Sequence, residues 1–482
     1  MSAPTPDVSS DFARLALAVL LAKLALLAID PNLRVFMGDS ASYLHSALVA
    51  APPPDRSFTY PWLIRASALA AGSGVSLLVV QTLIGAWSAL LVAAVLIEAF
   101  GASPRAAAVA ALIVALEPSQ LLYERMLMAE TAALAAMLAA IASLLVWCRT
   151  RRTSWIVAAA LFGALAATLR TAWLPVATGL LVAGPVVLWS IGWLARRRYG
   201  RTPAVALLAG LGTLALALSA HSAWVERELE GELARHGQAA DADAVRADGF
   251  HLLALMLPQV RPEHLADPQL PPECLATVRW PTDDLRYREL HRWAEGGLVH
   301  ALAQCAEDPQ ALARRIALRA FRDDRLGFVL LGVRTWAHLF EPEELRHRIL
   351  DDLGARAPPP DTRRWFAEAL GVAVGRDDPV DTPVARAYVG SAAVLPALLP
   401  LLAALALILA GVAWRWRDPP MLALALVAGG SVASIVLFSP VATPRYLHAL
   451  PALLVLALGA LHALPRRFRR ATDPSSRLQS EP

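Results

Sequence analysis

Val75 to Glu98 reads VSLLVVQTLIGAWSALLVAAVLIE, and its single charged residue is the glutamate that closes it. A helix of about 20 apolar residues covers the roughly 30 Å hydrocarbon core of a bilayer. The same pattern recurs on both sides. Upstream lies a run from about Phe12 to Ile29. Downstream come runs from about Ala106 to Leu122, Thr131 to Trp147, Trp155 to Arg170, and a sixth from the turn Thr171-Ala-Trp173-Leu-Pro175 to Arg196. A seventh covers about Pro203 to Ala223, and three more close the chain: Val389 to Trp414, Met421 to Phe438, and Leu447 to Leu464. The expected fold is an all-α polytopic membrane protein with about ten transmembrane helices.

Composition agrees. The chain of 482 residues is 57% hydrophobic and 17% charged, with mean hydropathy +0.49; a soluble chain carries about 25% charged residues. The net charge of +4 does not point to nucleic acid, because the arginines cluster at the ends of apolar runs, where membrane orientation explains them. Lys23 is the sole lysine. Asp7 and Asp11 stand where a signal peptide would be basic, so the first run reads as a retained anchor.

Orientation follows from the arginines. With spans alternating, the clusters at Arg105, Arg149 to Arg152, Arg196 to Arg201, Arg415/Arg417 and Arg466 to Arg470 all fall on one side. The positive-inside rule makes that side cytoplasmic, with both termini inside. Four parts result: a bundle of about seven helices over residues 1–223, with its first outer loop at 30–61; a mainly helical outer domain at 224–388; the last three helices at 389–467; and a disordered cytoplasmic tail at 468–482. Within the outer domain, Trp224 to His236, Asp284 to Ala303 and Pro309 to Phe321 have helical patterns, while Pro258 to Pro281 and Ala355 to Asp361 read as loops. Arg325 to Phe340 suits either a helix lying on the membrane surface or a core helix of the outer domain. Cys274 and Cys305 lie in this region and suit either a disulfide or two buried thiols. No Cys or His spacing marks a metal site.

The first outer loop, Met37 to Arg65, reads MGDSASYLHSALVAAPPPDRSFTYPWLIR. Its Asp39 is expected in a turn at the bundle mouth, where a carboxylate is costly to desolvate and is solvated, paired or functional. An ordinary helix cap is the alternative. On the same outward side stand Glu124, Arg125, Glu130, Arg170 and Arg445, close to span ends. Guanidinium forks match phosphate oxygens, and a nearby carboxylate supplies a candidate base. His45 is a second candidate base.

These pieces resemble the GT-C superfamily of integral-membrane glycosyltransferases, which includes protein O-mannosyltransferases and lipid A aminoarabinose transferases. The first loop carries Gly38-Asp39-Ser40-Ala41-Ser42-Tyr43 and then Thr59-Tyr60-Pro61. The third-to-fourth connection carries Glu117-Pro118-Ser119-Gln120, Glu124-Arg125 and Ala129-Glu130-Thr131. The fifth span closes with Leu169-Arg170-Thr171, and Thr443-Pro444-Arg445-Tyr446-Leu447-His448 opens the last. The resemblance covers about residues 11–198 and 389–467. It implies a polyprenyl-phosphate sugar donor in the bilayer of a bacterial inner membrane, and a periplasmic site acting on an unidentified glycan, lipid or protein acceptor. Asp39 would be the base, with Arg445, Arg170 and Arg125 on the lipid phosphate and Tyr43, Tyr60, Glu130 and His448 as sugar or orienting contacts. Many relatives pair two acids in the first loop; here Ser40 follows Asp39, which leaves a divalent metal possible and unsupported by a second carboxylate. Two other readings use the same features: a transporter or flippase of a lipid-linked saccharide, and a non-catalytic membrane subunit.

Overall fold

The computed structural model describes residues 8–36, 39–52, 57–194, 202–235, 248–268, 270, 272–276, 278, 296–354, 359–371, 380–439 and 441–472. Arg196 to Arg201, most of Asp284 to Ala303 and the tail beyond residue 472 lie outside them. Among the described residues there is no strand; the pairing of Arg34 with Met126 is an isolated bridge. The chain is an all-α polytopic membrane protein. Among the described residues, seven helices are long and apolar enough to cross a bilayer, and three more apolar helices are shorter.

Helix α1 (Val8–Ile29) leads to α2 (Asp39–Val49) and α3 (Thr59–Ile64), the latter continued by a π turn over Arg65–Leu69. The first outer loop is therefore largely helical, and Asp39 begins a helix rather than occupying a turn. Helix α4 (Gly74–Phe100) starts at the Ser73 cap, whose side chain accepts from the Val75 N–H, and stops at left-handed Gly101.

The third run breaks in two. Helix α5 (Pro104–Leu116) ends at Glu117, and α6 (Pro118–Tyr123) begins after it. Pro118 disfavours helical geometry in the residue before it. Glu117 is extended, with ψ 124°, and its carboxylate accepts from the backbone of Ser119 and Gln120.

Helices α7 (Glu130–Thr150), α8 (Thr153–Leu169), α9 (Leu174–Leu194) and α10 (Thr202–Arg235) follow. The bundle is built around α7, whose apolar window is 83% buried against 17% for the first helix. Its sequence, ETAALAAMLAAIASLLVWCRT, explains the placement: small side chains let neighbouring helices approach closely where apolar burial alone gives no drive to associate. Helix α10 has 34 residues. At 1.5 Å per residue it is about 51 Å long, so the charged segment after Trp224 continues the span without a break.

The inserted region holds α11 (Asp248–Met256), α12 (Leu298–Cys305), α13 (Pro309–Asp323), α14 (Arg325–Ala337), α15 (Pro342–Asp352), α16 (Pro360–Leu370) and α17 (Pro383–Ala392). Between α11 and α12 the described residues form short 3-10 turns. Cys274 and Cys305 are joined by a disulfide. The chain ends with α18 (Leu395–Trp416), α19 (Pro419–Phe438), α20 (Pro444–Leu447) and α21 (Leu450–Thr472). Helix α21 thus runs through residue 472, five residues into the stretch expected to be tail from residue 468.

Two cores result. Leu253, Leu257, Leu298, Leu302, Leu312 and Ile316 belong to a small one of their own. Trp336, Leu339, Ile349, Leu353, Phe366 and Tyr388 instead join the core of the bundle.

Candidate active site

Three segments far apart in sequence are drawn together at the end of the bundle that the inserted region meets. The chain after α1 is tied to the α6–α7 connection by paired backbone bonds: Arg34 N–H to the Arg125 carbonyl (2.7 Å) and Leu127 N–H to the Arg34 carbonyl (2.9 Å). The Ser40 hydroxyl donates to the Leu127 carbonyl at 2.9 Å and accepts the Phe36 N–H. These bonds set Asp39, the first residue of α2, beside Glu130, the first residue of α7. Both acids occupy helix N-termini, where negative charge is favoured.

Arg445 enters from the last span. Its guanidinium donates to Asp39 Oδ2 at 2.8 Å, and its Nε stands 3.7 Å from Glu130 Oε1. Arg170, in the extended residue that ends α8, completes the set with an ion pair to Glu130 Oε1 at 2.9 Å. Two carboxylates and two guanidiniums therefore interlock, with side-chain exposures from 4 to 16%. Aromatic faces hold the arginines. Arg170 lies 4.6 Å from the Tyr446 ring centre, and Arg445 lies 4.5 Å from Phe36 and 5.5 Å from Tyr446.

A cleft open to solvent borders this cluster. Glu130, Arg170, Arg445, Tyr446 and His448 form its charged and aromatic side; Trp173 of the turn before α9 and Ser431, Ser434 and Ile435 of α19 form the other. Serines facing a bundle cleft are unusual company for lipid but ordinary company for a polar headgroup.

The backbone of Arg445 is fixed from the inserted region. Asp352, the last residue of α15, is 1% exposed, and its Oδ2 accepts the Arg445 N–H at 3.0 Å. The same oxygen accepts the Tyr388 hydroxyl at 2.9 Å and the Tyr123 hydroxyl at 3.4 Å. That N–H is one of the unpaired donors at a helix start, so Asp352 acts as its cap from outside. Burial pushes the Asp352 carboxyl up to about 6, against the opposing pull of the Arg445 guanidinium and the hydrogen bonds it accepts.

Beneath the cleft runs a polar inlay. His448 Nε2 lies 2.9 Å from Gln120 Oε1, and Gln120 Nε2 donates to Glu124 Oε1 at 3.0 Å. Glu124 in turn is ion-paired with Lys23 of α1, and neither side chain is exposed. At 1.5 Å per residue Lys23 sits about 9 Å inside its span, so the lone lysine is a buried partner and not an interfacial anchor.

Of the residues singled out in the sequence, Asp39, Glu130, Arg170 and Arg445 converge, and His448 lines the same cleft. Arg125 does not line it. Its Nε and a terminal nitrogen donate to the Asp30 and Leu121 carbonyls at 2.9 and 2.8 Å, in the interior. Tyr43 and Tyr60 pack edge to face at 5.0 Å, and the Tyr60 hydroxyl donates to Gln81 Oε1 at 2.8 Å; both rings are core. His45 is exposed and away from the lining residues. Asp352 and Tyr388 escaped sequence reasoning, because an acid closing a charged helix in the inserted region looks like any solvated one.

A divalent metal does not suit this arrangement. Asp39 and Glu130 already face the Arg445 guanidinium, and among the described residues no three His, Cys, Asp or Glu side chains converge on a point.

No protein-family model matches the chain, and no curated protein matches it. Among solved structures, the crystal structure of ArnT from Cupriavidus metallidurans bound to undecaprenyl phosphate is similar at 14% identity, over 93% of this chain and 77% of that one, with a TM-score of 0.32. A likeness that loose carries no argument about the site, so the function rests on the cluster itself.

Proposed function

We propose that the chain is an inverting glycosyltransferase of the GT-C type that moves a sugar from a polyprenyl-phosphate donor to a hydroxyl acceptor at the outer face of a bacterial inner membrane. The observation that carries the proposal is the meeting of Asp39, Glu130, Arg170 and Arg445 beside a serine-lined cleft at the span ends. The arginine clusters argue for cytoplasmic termini and an outward cleft, and the Cys274–Cys305 disulfide fits the oxidising side.

The donor's lipid tail stays in the bilayer while its phosphate enters the cleft and takes up guanidinium bonds from Arg445 and Arg170. Phosphate and Asp39 then compete for Arg445, so donor binding frees the carboxylate when it is needed. The acceptor hydroxyl attacks the anomeric carbon, and its proton passes to Asp39. The bond from that carbon to the phosphate oxygen breaks on the opposite side, inverting the centre. The lipid phosphate leaves with one more negative charge, which the two arginines stabilise as it forms. Tyr446, against both guanidiniums, and His448, on the cleft wall, are placed to orient the sugar. Arg125, Tyr43 and Tyr60 support the scaffold in this reading.

The test is transfer from a radiolabelled polyprenyl-phosphate sugar in membranes holding wild type, Asp39→Asn or Arg445→Ala. Label in an endogenous acceptor with the wild type alone supports the proposal. Equal label in all three removes both residues from the mechanism.

A second reading has one observation in its favour: the Lys23–Glu124 pair is buried within the spans, where transporters keep charges that change partners. Lipid-linked sugar crossing sealed vesicles without transfer would establish it. A non-catalytic subunit would assemble normally with Asn at position 39 and show no transfer in either form.

A further inference from the structure

Helix α14 has two apolar faces, and the bundle uses only one. Leu331, Gly332, Thr335 and Trp336 are buried. They meet the last turn of α19: the Trp336 indole N–H donates to the Ile435 carbonyl at 3.0 Å, and a Cβ added at Gly332 would stand 2.6 Å from the Val436 carbonyl. On the other face Leu326, Val329, Leu330 and Val333 are 69, 41, 48 and 52% exposed. Their spacing of i, i+3, i+4 and i+7 makes one continuous stripe.

The position of that stripe is fixed by its anchor. Helix α19 is a 20-residue candidate span, about 30 Å long and so matched to the hydrocarbon thickness. Ile435 and Val436 lie within its final turn, which places α14 within about 5 Å of the span's end, at the boundary between acyl chains and headgroups. The apolar surface is continuous there. Phe321 and Phe328 are 5.4 Å apart, and Phe328 lies 6.4 Å from Phe438, which is itself 38% exposed at the end of α19. Arg322, Arg325 and Arg334 are exposed beside the stripe, where their long stems reach headgroups.

We propose that α14 is a membrane-seated helix of the inserted region, with Leu326, Val329, Leu330 and Val333 immersed in the lipid boundary layer of the leaflet that α19 reaches. The seat lies directly behind the cleft: the carbonyl of Ile435 holds Trp336, while Ile435 also lines the cleft. The lipid surface thereby supports the wall on which a headgroup would rest. The inference depends on α19 spanning the bilayer and not on the transfer chemistry.

The experiment uses the full chain in phosphatidylcholine–phosphatidylglycerol vesicles, with an environment-sensitive fluorophore on Val329→Cys, Val333→Cys or, as the exposed control, Glu343→Cys. Cys148 is buried and the other two cysteines are paired, so the introduced thiol takes the label. Nitroxide lipids should quench the labels at 329 and 333 several-fold more than the one at 343, and iodide several-fold less. Iodide quenching equal to that at 343 would place the stripe in water and overturn the proposal. Protection from both quenchers would mean that protein covers it, a second copy or a partner, and would overturn it as well. Either result leaves the transferase reading to its own assay.

Discussion

The inserted region contains two unlike halves. Leu253 to Leu257, Leu265, Leu298 to Leu302 and Leu312 to Ala320 close around a small core of their own, held by the Cys274–Cys305 disulfide. Among the described residues of the second half, Leu339, Ile349, Phe366 and Tyr388 instead sink into the core of the bundle. Among the described residues, none of the first half lines the cleft or joins the charged cluster, whereas the second supplies the carboxylate that holds Arg445. Proximity in sequence is thus a poor guide to which outer residues serve the site. What decides is which core they share.

The sharpest way to break this contrast is Asp352→Ala. It strands the Arg445 N–H and two tyrosine hydroxyls in a buried space, at about 1–3 kcal/mol for each group left unpaired. We expect loss of transfer and a lowered unfolding midpoint in detergent. Retained transfer would sever the second half from the site.

Next in size is the Lys23–Glu124 pair. Lys23→Met leaves a buried carboxylate uncompensated and should cost about 3–5 kcal/mol, with most of it recovered in Lys23→Met/Glu124→Gln. Thermal unfolding of the two variants measures this. No recovery in the double variant would mean that Lys23 packs rather than pairs.

On the other side of the contrast, replacing both Cys274 and Cys305 by serine should destabilise the first half by about 3–4 kcal/mol, from the loop that a separation of 31 residues closes. Transfer by the protein that remains folded should not change. Limited proteolysis reports the first effect and the radiolabel assay the second, and a parallel fall in both would fuse the halves.

A pH series sharpens the comparison. Asp352 titrates near 6, and protonation withdraws a charge and an acceptor from the Arg445 segment. Transfer should fall as pH drops through about 6, and Asp352→Asn should lack that limb. Stability runs the other way. A carboxyl raised from 3.8 to about 6 on folding holds its proton more tightly in the native state. Its contribution, about 3 kcal/mol, is complete below pH 3.8 and is lost as pH rises through about 6. The smallest effect is expected from Gly332→Ala, where the added methyl pushes α14 off the Val436 carbonyl at about 1–3 kcal/mol. Iodide access to a label at 333 would report that shift.

The apolar runs were legible because a span must be long and uncharged whatever it packs against. Asp39, Glu130, Arg170 and Arg445 were legible as charges at span ends, which solvation alone does not require. What stayed hidden depends on partners. Nothing near Asp352 distinguishes it from Asp351, since its burial comes from Tyr123, Tyr388 and Arg445, all distant in sequence. Lys23 stood out in the sequence only as the sole lysine, and its partner Glu124 lies 101 residues away. The helix at Asp39–Val49 was obscured by the prolines that follow it, and the break at Glu117 needed its cap bonds to be seen. Arg125 was expected on the phosphate from the resemblance and its place near a span end, but backbone carbonyls claim its guanidinium.

The interlocked cluster has a kinetic consequence. Two formal positive charges stand against two formal negative ones in the resting cluster beside the cleft, so it projects little field into the surrounding water. Free phosphate or sulfate finds no long-range attraction to follow, and must displace a carboxylate on arrival. A headgroup tethered to the bilayer faces the same exchange but is confined beside the cleft, where its effective concentration is far higher than any dissolved ion's. Charge balance at rest therefore selects for ligands by the route they take.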